Sequence, residues 1–415
     1  MAVSSRATIV SIILLAAGYV VLWSRENIKK LIFIRFGKFC YFTTFAFQLI
    51  ALVLSKDMER FFECFSVISF CGMGILKLFS LDRNSALWLN LLENMNDLEL
   101  EQQTRDENFY IAEYQSDNEE ENGHVTIFIT DYVKKFKRAG PILFKIYCFT
   151  GVIFILSPFI EYAFEVFRGN APEGYPHILP SWNPFDSLHF ICYIVIVICE
   201  AVAAVYCVCV HIAFDTAVIG VVIFVCGQFS LLIHQSEKIG GRGKIFNLSK
   251  KRDARAHFRI IRCHRVHVKL LFNIFSYINE LDELLKNILG FYFFLATLTL
   301  CTVAVRLTSE QMSVMELASL LQYLAATLTQ LYIYCSYGDA VYNETAIKAG
   351  QGPFSAAIWC LSPKIRREIA ILGFGMMRPR RLHARPFNTV DLPTFIQIVR
   401  AAYSYYAVLG SSKQK

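Results

Sequence analysis

The segment TVDLPTFIQIVRAAYSYYAVL, residues 389–409, decides the fold class. Its length suits a membrane crossing, since about twenty helical residues at ~1.5 Å rise cover a hydrocarbon core of about 30 Å. Read as a helix, Thr394, Gln397, Ala401, Ser404 and Val408 recur at spacings of three and four and share one face. That face is small and polar until it reaches the valine. Phe395, Ile398, Val399, Tyr403 and Tyr406 flank it and suit lipid or packed protein. Two readings compete. Small residues let transmembrane backbones approach closely, which makes the stripe a packing seam. The same polarity could line water, with Val408 as a hydrophobic constriction that gates by dewetting. Upstream, an apolar helix from Gln330 turns near Tyr334–Asp339 and leads into a basic segment containing Trp359.

The rest of the chain agrees with a membrane setting. Of 415 residues, 55% are hydrophobic and 18% charged, and the mean hydropathy is +0.42. A soluble chain carries about 25% charged residues. Several apolar runs approach twenty residues, so the chain reads as an all-α integral membrane protein. No linker rich in Gly, Ser or Pro divides it, which favours one membrane domain. The 13 cysteines are scattered, mostly in apolar runs (Cys71, Cys199, Cys207, Cys226, Cys301), and read as reduced, buried thiols. The net charge of +7 sits in a few blocks. These blocks belong to topology and give no sign of a nucleic-acid partner.

Seven spans are expected near 36–55, 60–80, 141–160, 188–211, 287–306, 314–336 and 389–410. Residues 8–23 are too short a run for a comfortable span and lack a convincing cleavage site, so they read as a membrane-associated or partly inserted leading helix. Arg25, Lys29, Lys30, Arg35 and Lys38 follow it. Lys134, Lys135, Lys137 and Arg138 abut the third span, whereas 161–187 hold Arg168 as their one basic residue. Eleven Lys or Arg lie between Lys238 and Lys269, none in 307–313, and eight in 337–388. Basic and poor connections alternate, which puts the amino terminus inside and the carboxyl terminus outside. G-protein-coupled receptors have the opposite orientation. Neither an Asp-Arg-Tyr nor an Asn-Pro-x-x-Tyr signature occurs at the expected places.

Residues 213–233 resemble an eighth span, but counting them would place the strongest basic block outside. His211, Asp215 and Gln228 also make this run more polar than its neighbours. It reads as the fourth helix continuing into a cytoplasmic bundle, joined there by charged helices around 81–138 and 255–286.

Few residues suggest chemistry. Glu200, mid-span, either floors a ligand pocket or pairs with a nearby Tyr or His, since a charge at that depth needs a cavity or a partner. Arg400 faces an inner vestibule or pairs with Asp391 or a carboxylate of the bundle. Cys263, His264 and His267 have ligand-like spacing without a second ligand pair, which favours packing over zinc. No catalytic triad, metalloprotease motif or nucleotide loop is visible, and nothing calls for a cofactor, so an enzyme is not expected. The sequons at Asn247 and Asn343 fall inside by this topology and should stay unglycosylated. Aromatics crowd the outer halves of spans two to six: Phe61, Phe62, Phe65, Phe149, Phe154, Tyr162, Phe190, Tyr193 and Phe294. They suit a small apolar ligand, although each taken alone fits core packing.

The carboxyl-terminal motifs resemble those of the insect odorant receptor family. They are Tyr334-Cys335 with Gly338-Asp339, Glu344-Thr345, Trp359, Arg366-Arg367 and Met377-Arg378-Pro379, then Leu392-Pro393-Thr394-Phe395, Tyr403-Ser404-Tyr405-Tyr406 and Val408-Leu409. Pro184-Phe185-Asp186 and the Cys263–His267 spacing also fit. The motifs cover about the last eighty residues, and the inverted seven-span layout extends the likeness across most of the chain.

The resemblance implies a ligand-gated, poorly selective cation channel of four subunits in the plasma membrane of an olfactory dendrite, with no G protein required. Each subunit would line the pore with its last helix, here through Gln397, Ala401, Ser404, Val408 and Ser412. An odorant would bind between the outer halves of spans two, three, four and six, where Phe65, Phe149, Phe154, Tyr162, Tyr193, Val197 and Glu200 are the candidate contacts. A membrane-associated segment 1–35 would precede spans one to six (36–336), a cytoplasmic anchor (337–388), and the pore helix and tail (389–415). The common olfactory co-receptor is longer between spans four and five, so this chain resembles a tuning subunit that partners it. The Tyr-Ser-Tyr-Tyr ending also differs from that of gustatory receptors, whose channels are the alternative. Two departures stand out. The amino-terminal stretch is more apolar than usual for the family, and Ser412 replaces the usual apolar residue one turn past Val408.

Overall fold

The computed structural model describes residues 8–23, 28–55, 58–113, 124–169, 174–182, 190–241, 248–307, 314–385 and 388–412. The segments expected to span fall largely within α2 (Ile28–Leu54), α3 (Met58–Arg83), α5 (His124–Phe167), α6 (Phe190–Glu237), α7 (Lys250–Arg306), α8 (Val314–Tyr342) and α11 (Leu392–Ser412), some of which extend well beyond them. Among the described residues, α2, α3, α5, α6 and α7 are long and apolar enough to cross a membrane. The 29-residue helix α4 (Ser85–Glu113) and the shorter α1 (Thr8–Ala17), α9 (Ala349–Ser355) and α10 (Pro363–Met376) lie among them.

Helix α5 has 44 residues, α6 has 48 and α7 has 57. At ~1.5 Å per residue they run about 65 to 85 Å, more than twice a bilayer core of about 30 Å. Much of each must therefore be covered by protein. Helix α6 shows where the change happens. Its first half exposes Ile191, Ile194, Val195, Ile198 and Val205, whereas no residue from 206 to 236 is exposed. A helix that is apolar all round requires such a surround. The apparent eighth span is thus the buried continuation of α6, as the charge pattern required.

Its partners are the helices expected from the charged segments. Trp88 of α4 sits edge-on to Phe214, with ring centroids 6.0 Å apart. Tyr132 of α5 packs against Phe224 and donates its hydroxyl to Glu99 at 2.6 Å. Tyr277 of α7 donates to the Asn94 carbonyl at 3.2 Å. Helix α1 lies on the same stretch, where Ile9, Ile13 and Phe136 crowd the Cα of Gly220. Its apolar face is therefore satisfied by protein, while Leu15 on the other side, and Tyr19 and Leu22 just after the helix, stay exposed.

The last helix is delivered by a small hairpin. Strands β1 (His383–Ala384) and β2 (Asn388–Thr389) pair antiparallel. The hairpin docks on α7, where Arg385 donates its backbone N–H to the Lys286 carbonyl at 2.9 Å and His383 donates its own to Asp282 at 2.6 Å. Gly290 leaves room for the Arg385 carbonyl, and Gly338 of α8 does so for that of Val390. Asp391 then caps α11. Its carboxylate accepts the Thr394 N–H at 3.0 Å, the Thr394 hydroxyl at 2.8 Å and the Thr389 hydroxyl at 2.6 Å. Pro393 lies in the first turn, where a missing N–H costs nothing. The Asp-Leu-Pro-Thr motif is thus a helix start.

Candidate functional site

A cavity of about 290 Å³ opens between α3, α5, α6 and α8. One face of α5 lines it with Tyr147, Thr150, Gly151, Phe154, Pro158 and Glu161, the three-and-four spacing of a single helical stripe. Helix α3 contributes Glu63, Ser66, Val67, Phe70 and Cys71 in the same rhythm, α6 contributes Ala204, Cys207 and Val208, and α8 contributes Leu320 and Tyr323. Arg306 at the end of α7 reaches the wall as well. The lining is mostly apolar with a few polar groups, as in sites for small organic ligands. Several of those groups already have partners. Tyr323 donates to the Ser66 carbonyl at 3.0 Å, and Gln322 donates to the Thr150 hydroxyl at 3.1 Å.

Residues 177–180 also line this cavity, and Glu200 holds their segment in place. Glu200 is 2% exposed. Its carboxylate accepts the Ile178 N–H at 3.0 Å and the Ser181 hydroxyl at 2.6 Å, with His177 Nδ1 at 3.4 Å. Tyr193 adds a hydrogen bond to the Pro176 carbonyl at 2.9 Å. Its ring lies 4.8 Å from that of Tyr175.

Of the seven candidate contacts, Phe154 is the one the cavity lining includes. Phe149 is 57% exposed, five residues before Phe154 and on another face of α5. Phe65 stacks on Phe61, with centroids 6.3 Å apart. Tyr162 is half-buried beside the stripe, and Val197 packs on the core. Glu200 and Tyr193 serve the segment over the cavity without lining it. Small residues alternating with aromatics (Ser66, Thr150, Gly151, Phe154) were the usable signal, because helical register, more than aromatic identity, decides which residues face inward.

Below the cavity lies a cluster that aromatic density does not reveal. Lys77 and Asp215 are each 1% exposed and meet at 2.6 Å. Lys77 Nζ also lies 3.0 Å from His211 Nδ1, while His211 Nε2 faces the Phe70 carbonyl at 3.2 Å. The ammonium has no acceptor site, so Nδ1 accepts and Nε2 carries the proton, a tautomer assigned from the network. Tyr147 and Tyr334 donate their hydroxyls to Asp215, and Gln330 donates to it at 3.1 Å.

Helix α11 packs on α7 and α8 through Thr394, Ile398 and Ala402. Gln397 and Ser404 are exposed and Ala401 is half-buried, so that part of the small polar stripe turns away from the chain's own core. Val408 and Ser412 occupy the last turns, and their side chains lie outside the described residues. Arg400 is exposed, and the cation nearest Asp391 is instead Arg381, at 3.5 Å. Of the alternatives for Arg400, pairing with Asp391 does not occur, because Asp391 is held in the cap facing the hairpin.

Cys263 and His267 both pack into the core of α7. Burial pushes the Cys263 thiol up to about 12. Burial, then His264 and Arg378, push His267 down to about 4. Neither state suits an open metal site. Among the described residues no group of three metal-binding side chains occurs.

The family model described as "7tm Odorant receptor" matches residues 57–403. Odorant receptor 13a of Drosophila melanogaster is 26% identical over 276 residues, covering 63% of each chain. Putative odorant receptor 92a of the same fly is 22% identical over 153 residues, covering 35% of this chain and 37% of its own. The matched region thus spans less than two thirds of these relatives. The solved insect olfactory receptor OR5 from Machilis hrabei, in complex with eugenol, superposes with a TM-score of 0.72 at 16% identity, covering 97% of both chains. A second structure of the same receptor superposes with a TM-score of 0.71 at 16% identity over 96% of both chains. That likeness shows the fold, and the family match favours odorant over gustatory receptors. With its model matched across most of the chain, this protein belongs to the 7tm odorant receptor family.

Proposed function

We propose that the chain is the odorant-binding subunit of a ligand-gated, non-selective cation channel in the plasma membrane, working with an olfactory co-receptor in a hetero-oligomer, a tetramer by resemblance. The observation that carries this reading is the cavity between α3, α5, α6 and α8: apolar, about 290 Å³, and crossed by a segment tied to Glu200. A small volatile molecule fits that volume and chemistry. Seven spans, with the amino terminus inside and the carboxyl terminus outside, are supported by the alternation of basic connections and by the outward apolar faces of α2, α5 and the first half of α6. Residues 337–388 then form the inner anchor. The exposed Gln397 and Ser404 suit a pore wall shared between subunits, with Ala401, Val408 and Ser412 continuing it. Binding would favour the open arrangement only by the ligand's differential affinity for the two states.

The test is current in cells expressing the chain with and without the olfactory co-receptor, under an odorant panel. Odorant-evoked cation current that requires the co-receptor is the expected result. Current from the chain alone would contradict the tuning-subunit reading, and silence at normal surface density would contradict the receptor reading for that panel.

A further inference from the structure

We propose that the Asp215 carboxylate is the coupling element between the odorant cavity and the last helix. The inference rests on the odorant-receptor reading and deepens it.

An ionised carboxylate offers about four acceptor sites, and here four are filled. Oδ1 takes Lys77 Nζ and the Tyr334 hydroxyl. Oδ2 takes the Tyr147 hydroxyl and Gln330 Nε2. The donors come from α3, α5 and α8, and Asp215 belongs to α6. Asp215 is 1% exposed, so withdrawing one donor leaves an unsatisfied buried acceptor. Such a junction favours discrete arrangements over gradual adjustment.

Both ends of the junction lead somewhere. Tyr147 lines the cavity, so its ring meets the ligand while its hydroxyl holds Asp215. Phe70 also lines the cavity and stacks on His211, with centroids 4.2 Å apart. On the far side, Tyr334 and Gln330 lie on α8, outside the cavity lining. Two residues before Tyr334, Tyr332 meets Phe395 of α11 edge-on at 5.7 Å. One turn beyond Tyr334, Gly338 sits against the carbonyl that precedes the α11 cap. A ligand that displaces Tyr147 must carry α8 with it or break the junction, and α8 holds the start of the last helix. The full set of donors holds one arrangement of α8.

The test uses the full chain with its co-receptor, comparing unmodified protein with Tyr334→Phe, Tyr147→Phe and the double variant at matched surface density. Tyr334→Phe removes one hydroxyl that touches no cavity surface. It should change resting current or maximal odorant response at least threefold. The double variant should change it by less than the product of the two single effects, because both hydroxyls serve one carboxylate. Gln330→Met removes a third donor and replaces Tyr334→Phe if that variant fails to reach the surface. Unchanged resting current, potency and maximum in these α8 variants, with a responsive unmodified chain, would overturn the coupling role alone. An unmodified chain that never responds would overturn the receptor reading and this inference together.

Discussion

Tyr147 of α5 and Tyr334 of α8 share one carboxylate, each donating its hydroxyl to a different oxygen of Asp215. The positions are 187 residues apart in sequence, and they join the cavity wall to α8, which packs against the start of the last helix. A buried ion pair with Lys77 anchors the arrangement at 2.6 Å.

Breaking that pair from one side should be costly. Asp215→Asn leaves the Lys77 ammonium buried without its counter-charge, a change that costs about 3 to 5 kcal/mol in comparable sites. We expect a fall in surface expression and in the melting temperature of purified protein. Lys77→Met combined with Asp215→Leu should recover part of the loss. An Asp215→Asn chain as stable as the unmodified one would contradict a buried charged pair.

The segment near the cavity depends on Glu200. Glu200→Ala removes the acceptor for the Ile178 N–H and the Ser181 hydroxyl, bonds of the charge-assisted kind worth about 1.5 to 3 kcal/mol each. If about 1.4 kcal/mol of that reaches ligand binding, odorant potency falls about tenfold. Ser181→Ala should show a smaller shift of the same sign. Dose–response curves at matched expression check both, and equal potency across the three chains would refute the role.

Asp391 sets the start of α11. Removing a capping side chain costs about 0.5 to 2 kcal/mol, so Asp391→Ala should destabilise the last helix, with Asp391→Asn milder because asparagine also caps. Proteolysis of residues 388–395 in membranes gives the readout, and an unchanged cleavage rate in Asp391→Ala would contradict the cap.

His267 gives a pH dependence of known sign. Its folded value of about 4 lies below the ~6.5 of an unfolded chain. The unfolded chain therefore takes the proton first. The neutral ring costs no stability above about pH 6.5, and stability falls as pH drops from there toward 4, by about 1.4 kcal/mol per unit. Melting of detergent-purified protein at pH 7.5 and 5.0 should show a loss of about 2 kcal/mol that His267→Gln lacks. Identical losses in the two chains would place the titration elsewhere.

Much of the fold was legible because hydropathy and charge act over whole segments. The apparent span at 213–233 was resolved by the basic block after it, and α6 does run on through that stretch fully packed. The site was legible only in part. Phe149 and Phe154 are alike in type, and five residues of helical rotation send one outward and the other into the cavity. Glu200 was marked as pairing with a nearby Tyr or His, and His177 does approach its carboxylate, but the backbone N–H of Ile178 and the Ser181 hydroxyl, in a segment without regular structure, bind it more closely. Lys77 and Asp215 lie 138 residues apart, and no local pattern links them. Arg381 rather than Arg400 approaches Asp391 because the hairpin folds back, a turn that hydropathy does not encode.

The most direct measurement compares two neighbouring positions on α5. Gly151 lines the cavity, and a Cβ there would already lie 3.1 Å from Val208. Phe149 faces away from it. Odorant dose–response should be shifted at least tenfold or abolished in Gly151→Leu, which fills the cavity, and left unchanged in Phe149→Ala, with both at normal surface density. A response that survives Gly151→Leu intact and is lost in Phe149→Ala would contradict the placement of the odorant between α3, α5, α6 and α8.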